Sequence, residues 1–546
     1  MRIFYNNSKF GSDTLLLLIS IGILITILGT AFFHLALQAE SYNFFDVLQS
    51  RYIKRVLVFT LWQAALSMGL SLLFAIPLAR FFYYHNFPGK RIILTYFGLC
   101  LVMPVIVAIL GIIQVHGNSG YIVWMMRSLG IETKGYLYGL FGILLAHVFF
   151  NTPLAVRSLL SRLNDIPQEQ WRSAIQLNFT PWQRFRLVEL PALRSALPGL
   201  AALIFMLCFT SFAIILSLGG GPRATTLEVA IYQALHFDFD MVRAVTLSGL
   251  QLAICAILSF ILVRFGKQSE TEISYQTGQE SILKFLQNKS LLARVFGWVS
   301  LALILLLVFP PLFSVIAKAL YHFKWDYLSK PALLNAGLIS LGISLSAGSL
   351  SILLAVSLCL GLRHIQNRSL RSFIETIGAL ILVFSPFALA TGLFIALSSY
   401  ANLDQIGPFL VILINALMSL PFALRILIPA FQQRFQETQP LCISMGIQGW
   451  TRFRMIDFPL LRKPIGLAMA YATTLSIGDF GIIALFGSQD FSTLPLYIYR
   501  AIGSYRLHEA SFAALILILT CYLLFIILER LIGGPKGQTQ CLNKQA

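Results

Sequence analysis

The chain has 546 residues, of which 57% are hydrophobic and 11% charged, with a mean hydropathy of +0.79. A soluble domain carries about 25% charged residues, so a water-facing globule, a disordered chain, a fibrous repeat and a disulfide scaffold are all excluded; the solvent that fits is a lipid bilayer. The net charge of +18 is dispersed among apolar blocks, which suits anionic lipid headgroups better than nucleic acid.

Apolar stretches of the length a bilayer requires, about 20 residues, predict twelve spanning helices: 14–37, 56–79, 92–113, 137–157, 198–218, 244–263, 295–317, 335–361, 373–397, 409–429, 464–486 and 510–529. The fold class is therefore all-α and polytopic. Arg2 and Lys9 precede the first stretch as in a signal peptide, but it is too long for an h-region and lacks a small-residue cleavage site, so it is read as a retained span. Twelve spans put both termini on one side. With those termini inside, the cytoplasmic segments hold 28 of the 40 Lys and Arg and the opposite loops 12, which predicts cytoplasmic termini. The seven cysteines have no metal-ligand or disulfide spacing and read as small core residues.

The chain repeats itself at an offset of 268 residues. Trp182 lies over Trp450, Phe185 over Phe453, Arg186 over Arg454, Pro191 over Pro459, Pro153 over Pro421, Phe212 over Phe480 and Gly219 over Gly487. Two six-helix halves follow, 1–264 and 295–546, joined by a polar linker at 265–294. Parallel halves of this kind suit a transport pathway.

The two most basic cytoplasmic loops, with six Lys and Arg each counted from Arg157 to Arg194 and from Arg425 to Lys463, contain the segments 160–191 and 430–459. In the first, Asn164 or Asp165 is placed to cap a helix opening near Pro167, and Asn178 to stop it, Asn being the second choice after Gly for a left-handed closing residue. Thr180, Pro181 and Gln183 then read as a capping box with Pro at N1. Trp182, Phe185 and Val188 share an apolar face, and Pro191 is expected to end the helix. The second loop repeats the pattern with Gly446 at the stop, Trp450, Phe453 and Ile456 on the face, and Pro459 at the end. Helices lying on the lipid surface are one reading; docking on a two-fold partner is the other, favoured by the duplication.

Both loops resemble the EAA loop of permease subunits of binding-protein-dependent ABC importers, a pattern of Glu-Ala-Ala, three residues, Gly, and a hydrophobic-Pro ending. Ala174 and Cys442 hold alanine positions, Asn178 and Gly446 the glycine, and Leu190-Pro191 and Phe458-Pro459 the ending, while Arg172 and Pro440 stand where the Glu falls. The resemblance covers nearly the whole chain and is closest to the thiamine and thiamine pyrophosphate permeases, notably over Ala201–Leu235 and Ser476–Arg506. It implies a type I importer fold in the bacterial inner membrane and two copies of a cytoplasmic ATPase that receive Ala174, Asn178, Trp182, Phe185, Pro191, Gly446, Trp450, Phe453 and Pro459. It also implies a periplasmic thiamine-binding protein on the outer loops. ATP and Mg would bind that ATPase and no cofactor this chain, which has no phosphate loop: the Gly-Lys pairs at 89–90 and 266–267 lack the required flanks.

Within the membrane, Asp479 falls opposite Ser211 in the repeat. It reads either as a contact for a cationic thiazolium on a pathway with Phe480, Phe212 and Ser211, or as the cap of a helix broken between Gly478 and Gly481. Glu375 is expected to pair with Arg368 or Arg371, and His147, the counterpart of Asn415, to make an interhelical hydrogen bond. Gly219, Gly220 and Gly221 form either a mobile loop or a contact for the binding protein. Alternatives to a thiamine importer are ferric-iron import and an ion-coupled carrier working alone; a membrane enzyme lacks any nucleophile or acid–base constellation.

Overall fold

The computed structural model describes residues 12–40, 49–131, 135–265, 291–362, 385–398, 403–447 and 449–533. Every regular element among them is helical. Eleven helical segments are long and apolar enough to cross a membrane. The expected ninth span lies mostly outside the described residues; its described part, Pro386–Ser398, is a 13-residue apolar helix. Peripheral spans leave most of their apolar surface outward, with only 22% of the Leu15–Leu37 window and 33% of the Leu507–Gly533 window buried, against 72% for Val105–Ser128 and Gly449–Phe486. Such surface is stable against acyl chains and not against water.

Two compact units form. In the unit Phe44–Phe323, α1 is here the span-length helix Arg51–Tyr84, which packs along α2, Leu140–Asn164. The predicted third span is cut at Pro104, which cannot donate to the helix ladder and holds Met103 in an extended conformation; the result is two helices, Lys90–Val102 and Val105–His116. The helix Leu291–Tyr321 completes this unit by packing on Val105–His116 and on α1. A methyl group at Gly111 would overlap the Pro311 carbonyl oxygen, so the absence of a side chain is what lets these two backbones approach.

The unit Met1–Asn43 with Lys324–Ala546 is built around helices Pro331–Leu362, Leu403–Ser444 and Phe458–Ile477. The helix Ser12–Glu40 packs on Pro331–Leu362 and Pro386–Ser398, with Gly361 against Leu17 and Gly392 against the Ala31 backbone. It is thus packed as one of the helices of this unit. The compact units do not coincide with the sequence halves: the first helix of each half belongs to the unit made by the rest of the other half.

A further difference between the repeats follows from one residue. After α2 the chain breaks at Pro167, and α3, Gln168–Gln176, starts separately. The position 268 residues on is Phe435, and there the helix runs unbroken over 42 residues, Leu403–Ser444. Pro167 itself, with ψ 142°, occupies the N-cap, in place of the expected Asn164 or Asp165.

Candidate functional site

The stop signals close as read. Asn178 has φ +49° and Gly446 φ +66°. In each copy a 6→1 hydrogen bond seals the turn: Phe179 N–H donates to the Ala174 carbonyl and Ile447 N–H to the Cys442 carbonyl, both at 3.0 Å. Ala174 and Cys442 are buried beneath these turns. In the first copy the capping box is complete, Gln183 N–H donating to Thr180 Oγ1 at 3.3 Å and Thr180 N–H to Gln183 Oε1 at 2.8 Å.

Pro191 and Pro459 do not end their helices. Each follows a π-helical segment, Phe185–Glu189 and Phe453–Asp457, and the chain continues into the spanning helices Leu190–Phe209 and Phe458–Ile477. The wider turn moves the preceding carbonyls clear of the pyrrolidine ring, which removes the clash that breaks an α-helix. It also turns the side chains past the expected face. Val188 is buried, and Phe185 and Phe453 are half-buried with their rings 5.7 and 5.3 Å from Trp182 and Trp450.

The outward apolar set is a triad present in both copies at the repeat offset. Leu177, Trp182 and Leu187 are 66%, 67% and 55% exposed; Met445, Trp450 and Met455 are 62%, 68% and 67% exposed. Leu177 and Leu187 were not singled out in the sequence, where the apolar spacing pointed to Val188. Asn178, Pro191, Gly446 and Pro459 lie on the same exposed surfaces.

Behind each triad is a buried carboxylate that sequence reasoning missed. Glu189 is fully buried; Arg80 Nε donates to it at 2.5 Å and the Tyr84 hydroxyl at 2.6 Å, while the Arg80 guanidinium lies 4.6 Å from the Phe185 ring centroid. Trp171 of α3, also fully buried, packs on the rings of Tyr83 and Tyr84. The last turns of α1 thus hold both arms of the first element. In the second copy Asp457 stands at the Glu189 position, 3.4 Å from Arg452 Nε, and Arg452 also donates to Gln439 Oε1 at 2.5 Å and Thr438 Oγ1 at 3.3 Å. The recurrence of an acid just before each Leu-Pro or Phe-Pro pair was the signal available.

The spanning helices above these elements are interrupted at matching places, Thr210–Phe212 and Gly478–Phe480. Asp479 adopts the geometry of a cap: its carboxylate oxygens accept from Gly481 N–H and Ile482 N–H, each at 3.3 Å. Nearby, Asn415 Nδ2 donates to Ser476 Oγ at 3.2 Å. Phe212 and Phe480 are buried against Tyr232 and Tyr499, at 5.2 and 4.8 Å between centroids, whereas Ser211 and Asp479 are half-buried. His147 makes the expected interhelical bond, with Nδ1 2.8 Å from Ser67 Oγ. Glu375, Arg368 and Arg371 lie outside the described residues.

At the far end of the same interrupted helix, Gly219 is buried, and a side chain there would crowd the Ile215 and Ala224 carbonyls. Gly220 and Gly221, with φ +70° and +125°, are exposed. Leu218 accepts from Gly139 N–H at 2.8 Å, so this is a tied turn, with only its second and third glycines outward.

Repeated helices long and apolar enough to span a bilayer, paired elbows with outward apolar triads and paired interruptions are the architecture of a polytopic membrane protein built from two similar halves. Residues 71–268 match the family described as binding-protein-dependent transport system inner membrane component. The thiamine transport system permease protein of Escherichia coli is 42% identical over 506 residues, covering 92% of this chain and 94% of that protein. The corresponding proteins of Salmonella typhimurium and Brucella abortus are each 40% identical, over 514 and 524 residues, covering 94% and 95% of this chain. The chain belongs to this family of thiamine transport system permeases, a transport component and not a catalytic enzyme.

Proposed function

We propose that the chain is the membrane subunit of an ATP-driven importer that passes thiamine, or its pyrophosphate, across the bacterial inner membrane. Two copies of a cytoplasmic ATPase seat on the two elbows, ATP and Mg are held in that ATPase, and a periplasmic thiamine-binding protein delivers the cargo. Both termini are cytoplasmic, in line with the basic-residue bias.

The observation that carries this reading is the duplicated triad, Leu177–Trp182–Leu187 and Met445–Trp450–Met455, exposed on elements whose buried sides are fixed by ion pairs. Two large apolar side chains and an indole left outward on a rigid mount are what a protein partner buries. Ala174, Asn178, Gly446, Pro191 and Pro459 shape the mount, and Trp182, Phe185, Trp450 and Phe453 form its aromatic centre. Ser211 and Asp479, half-buried at the two interruptions, are the pathway contacts for the cargo, with Phe212 and Phe480 buried next to them in the chain. Gly220 and Gly221 lie on the side that meets the binding protein.

The test is reconstitution of the chain with its copurified ATPase in proteoliposomes. Thiamine-loaded binding protein is expected to stimulate ATP hydrolysis and uptake together. Uptake without nucleotide, as in a lone carrier, would overturn the reading.

A further inference from the structure

Arg157 stands inside the span-length helix α2, seven residues before its elbow end, or about 10 Å from it. Its basic neighbours have partners: Arg80 is joined to Glu189, and Arg162 lies 3.7 Å from Asp165. Arg157 has neither a carboxylate nor a hydrogen-bond partner among the described residues. The repeat keeps this residue. Arg425, 268 residues on within Leu403–Ser444, is exposed and equally without a partner among the described residues. A charge left alone within a span is costly, and it persists where it serves a ligand or a partner.

A long cationic side chain in a membrane ordinarily stretches toward the nearest water. The Arg157 guanidinium instead lies across helix Lys90–Val102 at Gly98, where a methyl group would overlap Nη1. The start of that helix is at the elbow end, since Lys90 Nζ donates to the His85 carbonyl at 3.1 Å, just past the end of α1. Gly98 is eight residues further on, about 12 Å in, so the charge is held at depth. Arg91, Thr95 and Gly98 follow one another on one helix face, and Arg91 and Thr95 are exposed. Gly89 at the N-cap brings no capping side chain, so the open N–H groups of the first turn add positive potential at the same end. Ile92 and Leu99, 71% and 53% exposed, flank this column.

We propose that Arg157, laid over Gly98, seats the phosphate of an anionic phospholipid from the leaflet on the elbow side, with Ile92 and Leu99 against its acyl chains. A guanidinium grips phosphate oxygens with paired N–H donors. The apolar flank suits a ligand that carries hydrocarbon beside its phosphate, which a soluble phosphate does not. Gly98 shapes the seat and Arg157 holds the ligand. The inference goes beyond the importer reading and needs only that the helices lie in a bilayer.

The experiment uses the chain with its copurified ATPase in nanodiscs of phosphatidylcholine, with and without phosphatidylglycerol. The readouts are the melting temperature and the ratio of the two lipids retained after transfer to detergent. Arg157→Gln removes the charge, Arg157→Lys keeps it as a point, and Gly98→Ala keeps every charge while pushing the guanidinium aside. Because that overlap is with the far end of a flexible side chain, the backbone at Gly98 is left in place. Wild type is expected to retain phosphatidylglycerol at least threefold above its share in the nanodisc and to melt higher with it. Arg157→Gln and Gly98→Ala should lose both gains while melting as wild type in pure phosphatidylcholine, and Arg157→Lys should keep part of them. Were Gly98→Ala to melt low in phosphatidylcholine, Arg157→Gln decides alone by the same measures. Enrichment and melting gain that survive Arg157→Gln overturn the proposal. So does a wild type indifferent to phosphatidylglycerol but stabilised by thiamine pyrophosphate in an Arg157-dependent way, because the guanidinium would then meet a soluble phosphate.

Discussion

Arg80 and Glu189, 109 residues apart in sequence, are joined at 2.5 Å between Nε and Oε2, and this pair fastens the first elbow to the end of α1. Glu189 is fully buried and also accepts from Tyr84, whereas about a third of the Arg80 side chain reaches the surface. Removing Arg80 alone therefore strands a charge that has lost its water. Breaking a buried pair in this way costs about 3–5 kcal/mol, and the partial exposure of Arg80 puts Arg80→Ala at the lower end. Glu189→Gln keeps the hydrogen bonds to both partners in part and is expected to cost less. Thermal melting of the purified complex checks the order Arg80→Ala, then Glu189→Gln, then wild type. A reversed order would mean that the carboxylate is not what the guanidinium supports.

The triads lead to a different kind of loss. Trp182 and Trp450 are about two-thirds exposed, so truncating either should change stability by no more than about 0.5 kcal/mol. If the indoles are buried by the ATPase, each Trp→Ala change should weaken attachment by at least about 2 kcal/mol, roughly thirtyfold. The measurement is recovery of ATPase on the immobilised permease, with the melting temperature as control. Full recovery in the Trp182→Ala, Trp450→Ala double variant would remove the elbows from the docking site. Leu187→Ser and Met455→Ser should give smaller losses of the same kind, which tests the side chains that the wider turn brings outward.

Much of the elbow was legible because its signals are local. A residue tolerant of left-handed backbone at 178 and 446, and a Thr-Pro-Trp-Gln run, specify their own hydrogen bonds whatever surrounds them. Eleven of the twelve expected spans were legible from hydropathy, the ninth lying mostly outside the described residues; what hydropathy did not show is that Pro104 splits one and that Thr210 to Phe212 and Gly478 to Phe480 interrupt two others. The face of the elbow was not. Spacing by threes assumes α-helical turns, and one π turn per copy moved Val188 inward and Leu187 outward. Proline as a terminator failed for the same reason. The Arg80–Glu189 pair was out of reach of local rules because its partners are brought together by tertiary packing alone.

Nor was the exchange of first helices written in any local pattern, and it has a consequence for assembly. Each compact unit takes helices from both sides of 265–290: Ser12–Glu40 packs with Pro331–Leu362, and Leu291–Tyr321 with Val105–His116. A chain cut within 265–290 and expressed as two pieces should therefore accumulate and support uptake only when both pieces are made together. Either fragment alone leaves the faces opposite Gly111 or Gly392 without the backbones packed there. Pulse-chase stability of each fragment, alone and together, is the measurement. A stable, protease-resistant piece 291–546 in the absence of 1–264 would show that the exchanged contacts are dispensable.

Asp479 separates charge from hydrogen bonding. Its carboxylate accepts from Gly481 and Ile482 N–H groups at the start of a six-residue helix, Gly481–Phe486, next to the break in the preceding span. Asparagine caps as well as aspartate, and alanine does not, at a cost of about 0.5–2 kcal/mol. Asp479→Asn is therefore expected to keep the melting temperature and the thiamine uptake of the wild type, while Asp479→Ala lowers both because the break is no longer held. Melting and uptake measured on the same preparations decide the matter. An Asp479→Asn variant that melts normally but no longer carries thiamine would mean that the negative charge itself meets the cationic ring, and the capping role would then be only half of what this residue does.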